Sequence, residues 1–180
     1  MFGRIGTMNS IILIGMPGCG KSTIGVLLAK TLGKQFLDTD LRIQDEEKAL
    51  LQEIIDRKGN AYFRQAEERV LCSIDADDAV IATGGSAVYS SRAMTHLKRL
   101  GRVVYLSLPL AEIERRVQNI RTRGISMAPG ETLAELFRER VPLYRQYADL
   151  TISLEGLDFE TELEKILLSL SNQTTVPVPQ

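Results

Sequence analysis

Three groups of residues in this sequence could do chemistry: a lysine set among glycines, two aspartates two positions apart, and a spread of arginines in the second half. The first group is contiguous. Gly15-Met16-Pro17-Gly18-Cys19-Gly20-Lys21-Ser22 fits G-x-x-x-x-G-K-[ST] in full, with Thr23 next. The glycines let backbone N–H groups turn inward around phosphate oxygens, and a helix opening at Lys21 adds positive potential from its N-terminus. Lys21 can reach the β- and γ-phosphates of a nucleoside triphosphate, and Ser22 can offer a hydroxyl to Mg²⁺. A chance glycine turn is the plain alternative. The strand-like run before the loop and the helical run after it favour phosphate binding. Cys19 reads as a small filler whose amide matters, since nothing nearby argues for a redox role.

The second group is Asp38 and Asp40, in "DTD" at the end of a short apolar run. Ligands gather at the carboxyl ends of strands in open α/β sheets, so both acids should face the phosphate site. There they could orient the waters of Mg²⁺ or accept a proton from an attacking hydroxyl; Asp40 could instead cap a helix. Neither "VIATGG" nor "VVYLSL" ends in a separate acid, which disfavours mechanical ATPases and leaves Asp38 as the best metal-side acid. In "AYFRQAEERVL", Arg64 and Glu67 are three apart and can pair along one helix; taken alone, that run is a solvated salt-bridge face. Gly84-Gly85 lets a ligand approach backbone N–H groups, or makes a plain turn. Arg115, Arg116, Arg121, Arg123, Arg138, Arg140 and Arg145 include candidates to clamp phosphate or carboxylate, and composition does not choose among them. His96 has no partner motif and reads as structural.

These groups need a frame, and the sequence supplies one. Strand-like runs at 10–14, 35–38, 79–85, 102–108 and 150–154 alternate with helical spacing at 21–32, 41–57, 61–75, 90–99, 109–119, 132–147 and 158–170. Leu50, Leu51, Ile54 and Ile55 should share one buried face, with Phe63, Val70, Leu71 and Ile74 on the next. Alternation of this kind calls for an α/β fold with a parallel sheet covered on both faces. With 180 residues there is room for one domain, expected over 8–170. Residues 1–7 read as a leader or start-site extension, and the tail from 171 as disordered. Net charge of −1 gives no reason to expect nucleic acid or an anionic membrane as partner. No apolar run approaches the roughly 20 residues of a membrane span. Two cysteines make no disulfide framework, so the cytosol is the expected compartment.

With these pieces in order, the chain resembles the shikimate kinases. The likeness runs from about Ile11 to Ile152 and rests on the phosphate loop, "FLDTD", "YFRQAEERVL", "VIATGG", "VVYLSLPLAEIERR" and "RVPLYRQYAD". It implies the P-loop fold of small nucleoside-monophosphate-type kinases: a five-stranded parallel sheet, a substrate-binding helical segment at about 39–68, and a mobile lid at about 119–131. It also implies roles. Lys21, Ser22 and the loop residues Gly15, Pro17, Gly18, Cys19, Gly20 and Thr23 would hold ATP, with Mg²⁺ on Ser22 and Asp38. Asp40 would hold or deprotonate the attacking hydroxyl. Arg64, Gly84, Gly85 and Arg140 would bind the acceptor, the two arginines gripping its carboxylate. Arg123 would be the lid arginine, and Arg116 would lie against the adenine.

The chain departs from the family pattern at four places. Gly84-Gly85-Ser86 replaces three glycines, and Arg123-Gly124-Ile125-Ser126 replaces R-P-L-L in the lid. Lys48 stands where a glycine is expected, and Asn60 where an acid commonly precedes the "FR" motif. The implied activity is transfer of the ATP γ-phosphate to the 3-hydroxyl of shikimate, in aromatic amino-acid biosynthesis, by a monomer. The alternatives are a related enzyme for another small hydroxy acid or amino acid such as homoserine, and a non-catalytic nucleotide-binding module.

Overall fold

The computed structural model describes residues 9–117, 124–155 and 158–171. The expected leader, the tail beyond Ser171 and the lid positions 119–123 lie outside these residues; Ser171 itself closes the last helix.

β1 (Ser10–Ile14) is buried along its whole length, as an unbroken apolar run covered on both faces must be. It pairs in parallel with β3 (Ala79–Ala82) on one side and β4 (Gly101–Ser107) on the other. β2 (Gln35–Asp38) flanks β3, and β5 (Leu150–Ser153) flanks β4, giving the order β2-β3-β1-β4-β5 with every pair parallel. The chain runs from β1 outward to β2, back to β3, then across β1 to β4. That reversal opens a crevice at the carboxyl end of β1. The segments Gly15–Gly20 and Thr83–Ser86 both leave the sheet there.

Helices cover the sheet: α1 (Lys21–Leu32), α4 (Ser91–Leu100), α5 (Leu110–Arg116), α6 (Leu133–Tyr147) and α7 (Phe159–Ser171). α1 begins on Gly20, at φ 98°, without a side-chain cap, so its first N–H groups remain open to the crevice. α6 is closed instead by Thr132 and Glu135 in a reciprocal capping box. His96 on α4 lies 2.7 Å from the carbonyl of Ile74, joining α4 to the end of the preceding helix. Among the described residues, no helix is long and apolar enough to cross a membrane.

The segment after β2 differs from the sequence expectation in its breaks. Helices expected at 41–57 and 61–75 are α2 (Thr39–Glu47) and α3 (Leu51–Ser73). The chain turns at Lys48, whose φ of 52° is left-handed, so the position keeps the geometry that a glycine favours. The gap expected near 58–60 is a kink at Gly59 inside α3, with φ 81° and ψ 166°. The apolar face is also narrower than expected. Leu51 and Ile54 are buried, whereas Leu50 is 61% exposed and Ile55 only half-buried. Ile43, Leu51, Ile54, Phe63 and Val70 form a small core of their own, apart from the main core built on β1, β3 and β4.

Candidate active site

A cavity of about 710 Å³ opens at the carboxyl ends of β1 and β3. One half is made largely of backbone. Gly15, Gly18 and Gly20 have φ of 148°, 81° and 98°, the last two well inside the range that side chains disfavour. Pro17, Gly18, Gly20, Lys21, Ser22 and Thr23 line the cavity. Cys19 is buried beneath them, its Sγ 3.8 Å from Lys21 Nζ. Lys21 is itself buried, and Nζ donates to the carbonyls of Gly15 and Met16 at 2.8 and 2.9 Å. Those carbonyls hold the ammonium at the loop, ready to exchange them for phosphate oxygens. Ser22 and Thr23 are exposed at the helix mouth. Arg116 lines the same end, held by Glu112 at 2.8 Å, with its guanidinium 5.9 Å from the ring of Phe159. Guanidinium and ring together offer flat faces to a planar base.

The other half is made of side chains from distant parts of the chain. Asp40, Phe63, Gly84, Gly85, Ser86, Ser126 and Arg140 line it. Asp38, and not Asp40, caps α2: its Oδ1 accepts from the amides of Asp40 and Leu41 at 2.9 and 3.4 Å. This cap turns Asp40 toward the cavity. Burial and the neighbouring Asp38 raise the Asp40 carboxyl to about 6, with Lys21 opposing them. Thr39 fixes the opposite wall by accepting from the amide of Gly84 at 3.2 Å. A Cβ on Gly84 would collide with Glu67 Oε1 and stand 2.8 Å from Asp40 Oδ1. One on Gly85 would stand 2.9 Å from Pro17 and 3.0 Å from Arg140. The glycine pair is therefore a matter of close approach, and two carboxyl groups meet across it.

Arg140 is almost fully buried, 1% exposed, yet reaches the cavity. Its Nη2 donates to the carbonyl of Ser126, and its Nε to Tyr89 Oη at 3.1 Å. Tyr144, neutral because burial pushes its phenol far up, donates to the carbonyl of Gly85 at 2.7 Å. Arg64 approaches from α3 on the outer side. Its guanidinium lies 4.0 Å from the centroid of the Tyr89 ring, and that of Arg140 lies 5.1 Å from it. The two arginines thus share one aromatic platform. Arg64 itself lines a second cavity of about 450 Å³, with Glu67, Ser86 and Tyr89 in the wall.

Comparison with known proteins decides the family. A family profile described as shikimate kinase matches residues 17–171. The chain is 41% identical over 155 residues to the shikimate kinase of Paracidovorax citrulli, covering 83% of this chain and 85% of that one. It belongs to the shikimate kinase family. The structure of the Acinetobacter baumannii shikimate kinase in complex with shikimate superposes with a TM-score of 0.83 at 35% identity, covering 94% of this chain and 97% of that one. For the Aquifex aeolicus shikimate kinase the TM-score is 0.76 at 32% identity, with 92% and 98% covered. The five-stranded parallel sheet is accordingly that of the P-loop kinases, and the chain is a phosphotransferase of a family that uses ATP and acts on a hydroxyl group.

The fold brings most of the family's expected site residues together. The phosphate loop, Asp40, Gly84, Gly85, Arg116 and Arg140 all line the main cavity; Asp38 stands behind Asp40, and Arg64 opens on the second cavity. Arg121 and Arg123 lie outside the described residues. Asp38 Oδ1 is engaged by amides, and no cluster of three acidic, histidine or cysteine ligands exists among the described residues. The Ser22 hydroxyl and the Asp38 carboxylate are hard oxygen donors of the kind that Mg²⁺ takes, so these residues fit the ion. Sequence reasoning missed Glu67. It is 2% exposed rather than on a solvated face, and burial raises its carboxyl to about 7, opposed by Ser86 and reinforced by Asp40. A signal was present: Phe63, Ala66, Val70 and Leu71 mark the buried stripe of α3, and an acid at 67 interrupts it. Tyr89, Phe159 and Ser126 were also missed, and no local motif announces them.

Proposed function

We propose that the protein transfers the γ-phosphate of ATP to the 3-hydroxyl of shikimate. One observation carries this reading: Asp40 and the buried Arg140 line the same cavity as the phosphate loop, separated by the Gly84–Gly85 turn. A cation at one end and a carboxylate at the other suit a small acid whose hydroxyl must meet a phosphate. The family membership and the shikimate-bound relative support the choice of acceptor.

The acceptor carboxylate binds to Arg140, with Arg64 closing from the Tyr89 platform. The hydroxyl then lies at Asp40, facing the phosphate loop. Its oxygen attacks the γ-phosphorus in line, the bond to the β-phosphate oxygen breaks, and the hydroxyl proton passes to Asp40. ADP and the phosphate ester leave. Lys21 exchanges its loop carbonyls for phosphate oxygens, and the open amides at the start of α1 hold the rest. Ser22 and Asp38 would hold Mg²⁺, which supplies charge neutralisation on the β- and γ-phosphates. Arg123, carried by the lid, would add a cation to the transferring group, and Arg116 with Phe159 would bind the adenine. We take the enzyme to act as a cytoplasmic monomer of one domain, residues 8–170.

The test is a steady-state acceptor panel with ADP release as the signal and phosphorus NMR of the product. Shikimate 3-phosphate should form. Turnover of homoserine with none of shikimate would replace this acceptor, and nucleotide binding without transfer to any acceptor would favour a non-catalytic module.

A further inference from the structure

Ser126 is one of the residues at which the chain departs from the family pattern, and its hydroxyl is left without a use inside the protein. The residue is 2% exposed and lines the main cavity, and Oγ, itself buried, has no hydrogen-bond partner among the described residues. Its neighbours in the chain are held firmly. On one side Gly124, at φ 61°, lies so close to α3 that a Cβ there would collide with Leu51 and stand 3.0 Å from the amide nitrogen of Gln52. On the other side the carbonyl of Met127 accepts from the side-chain amide of Asn60. Between these anchors the carbonyl of Ser126 accepts from Arg140 Nη2. The serine is therefore fixed beside the cation that faces the acceptor, with one donor unspent.

We propose that Ser126 is a further acceptor-binding residue: its hydroxyl donates to the acceptor carboxylate that Arg140 grips. The proposal rests on the acceptor reading above, in which that carboxylate lies at Arg140. A buried hydroxyl without a partner destabilises the protein that carries it, and a ligand that supplies the partner returns that stability as affinity. The neighbouring guanidinium decides the chemistry of the partner. A hydroxyl beside a cation turns its lone pairs toward the positive charge and its proton away, so the proton meets an acceptor, and an anion best of all. Arg140 has Nη2 and Nε engaged by Ser126 and Tyr89, while Nη1 stands at the Gly85 turn, on the cavity. A carboxylate has two oxygens: one can take Nη1, and the other is free for a second donor on the same wall. Because the chain is pinned on both sides of Ser126, the hydroxyl needs only rotation about its own χ1 to meet it.

The test is Ser126→Ala, which removes the hydroxyl and puts nothing in its place. Two readouts should move in opposite senses. Without ligand, the variant should melt about 3 °C above wild type, because the partnerless hydroxyl is gone. Its KM for shikimate should rise about tenfold, the size of one hydrogen bond to a charged group. The kcat and the KM for ATP should stay unchanged, as expected of a contact made equally in the ground and transition states. A merely structural hydroxyl would lower the melting temperature and the activity together. An unchanged KM for shikimate, or a variant that melts below wild type, overturns the proposal. A crystal structure of wild type with shikimate reads the contact directly. Ser126 Oγ should lie within about 3 Å of a carboxylate oxygen; Oγ bonded to a protein group or a buried water, with shikimate in place, contradicts the proposal. If wild type turns over homoserine and not shikimate, the acceptor reading fails. Homoserine also presents a carboxylate, so the same comparison with it then decides the role of Ser126. With no acceptor turned over at all, both readings fail.

Discussion

The two halves of the cavity are built by different means. The donor half comes chiefly from one stretch, Gly15 to Thr23, with Arg116 and Phe159 added at its end, and its working parts are mostly amides, glycine torsions and a single lysine. The acceptor half is assembled from α2, α3, the turn after β3, residues 124–126 and α6, through side chains as far apart in sequence as Asp40 and Arg140. The donor half lies against the main core, while α2 and α3 rest partly on a small core of five residues. Backbone cradles have little room to vary. Of the departures from the family pattern, Ser86 lines the side-chain pocket, while Lys48 ends α2 and Asn60 lies within α3, the helices that carry it.

That contrast can be broken from either side. The largest effect should come from Lys21→Ala, which removes the cation from the phosphate loop. Turnover should fall by about a thousandfold or more with acceptor affinity nearly unchanged, as initial rates and acceptor titration would read; near-normal kcat would remove the lysine from the chemistry. Next is Glu67→Gln. Glu67 titrates near 4.5 when unfolded and about 7 when folded. Unfolding therefore releases its proton between those values, and the folded state loses stability as pH rises through them, by on the order of 3 kcal/mol. The variant should melt like wild type near pH 4.5 and at a higher temperature at pH 8; an offset that does not change with pH would contradict the buried carboxyl. Arg64→Ala should raise the acceptor KM about tenfold or more and leave that for ATP alone, and equal shifts in both would merge the two halves. The smallest effect is expected from Lys48→Gly. It relieves a left-handed torsion at the end of α2 and should stabilise the fold by up to about 1 kcal/mol in denaturant melts.

Legibility in the sequence followed the same division. The phosphate loop and the five strands could be read locally, because G-x-x-x-x-G-K-[ST] and apolar runs such as "SIILI" are short-range signals. The acceptor half could not be read in that way. Spacing alone could not tell that Leu50 would face solvent, that α3 would kink at Gly59 rather than stop, or that Glu67 would turn inward to Ser86 rather than outward to Arg64. Each of those depends on what packs against the helix from a remote part of the chain. The same holds for Arg140, one of seven arginines from Arg115 to Arg145, singled out by resemblance and placed in the cavity by contacts with Tyr89 and Ser126. Asn60 is a further case. Its amide donates to the carbonyl of Met127, a bond between α3 and the segment before α6 that a carboxylate at that position could not make.

The most direct test is a crystal structure of the protein with shikimate and ADP bound. The acceptor carboxylate should lie between the guanidinium groups of Arg64 and Arg140, and its 3-hydroxyl at Asp40, facing the phosphate loop. A carboxylate held elsewhere, with those two arginines still on Tyr89, would contradict the account.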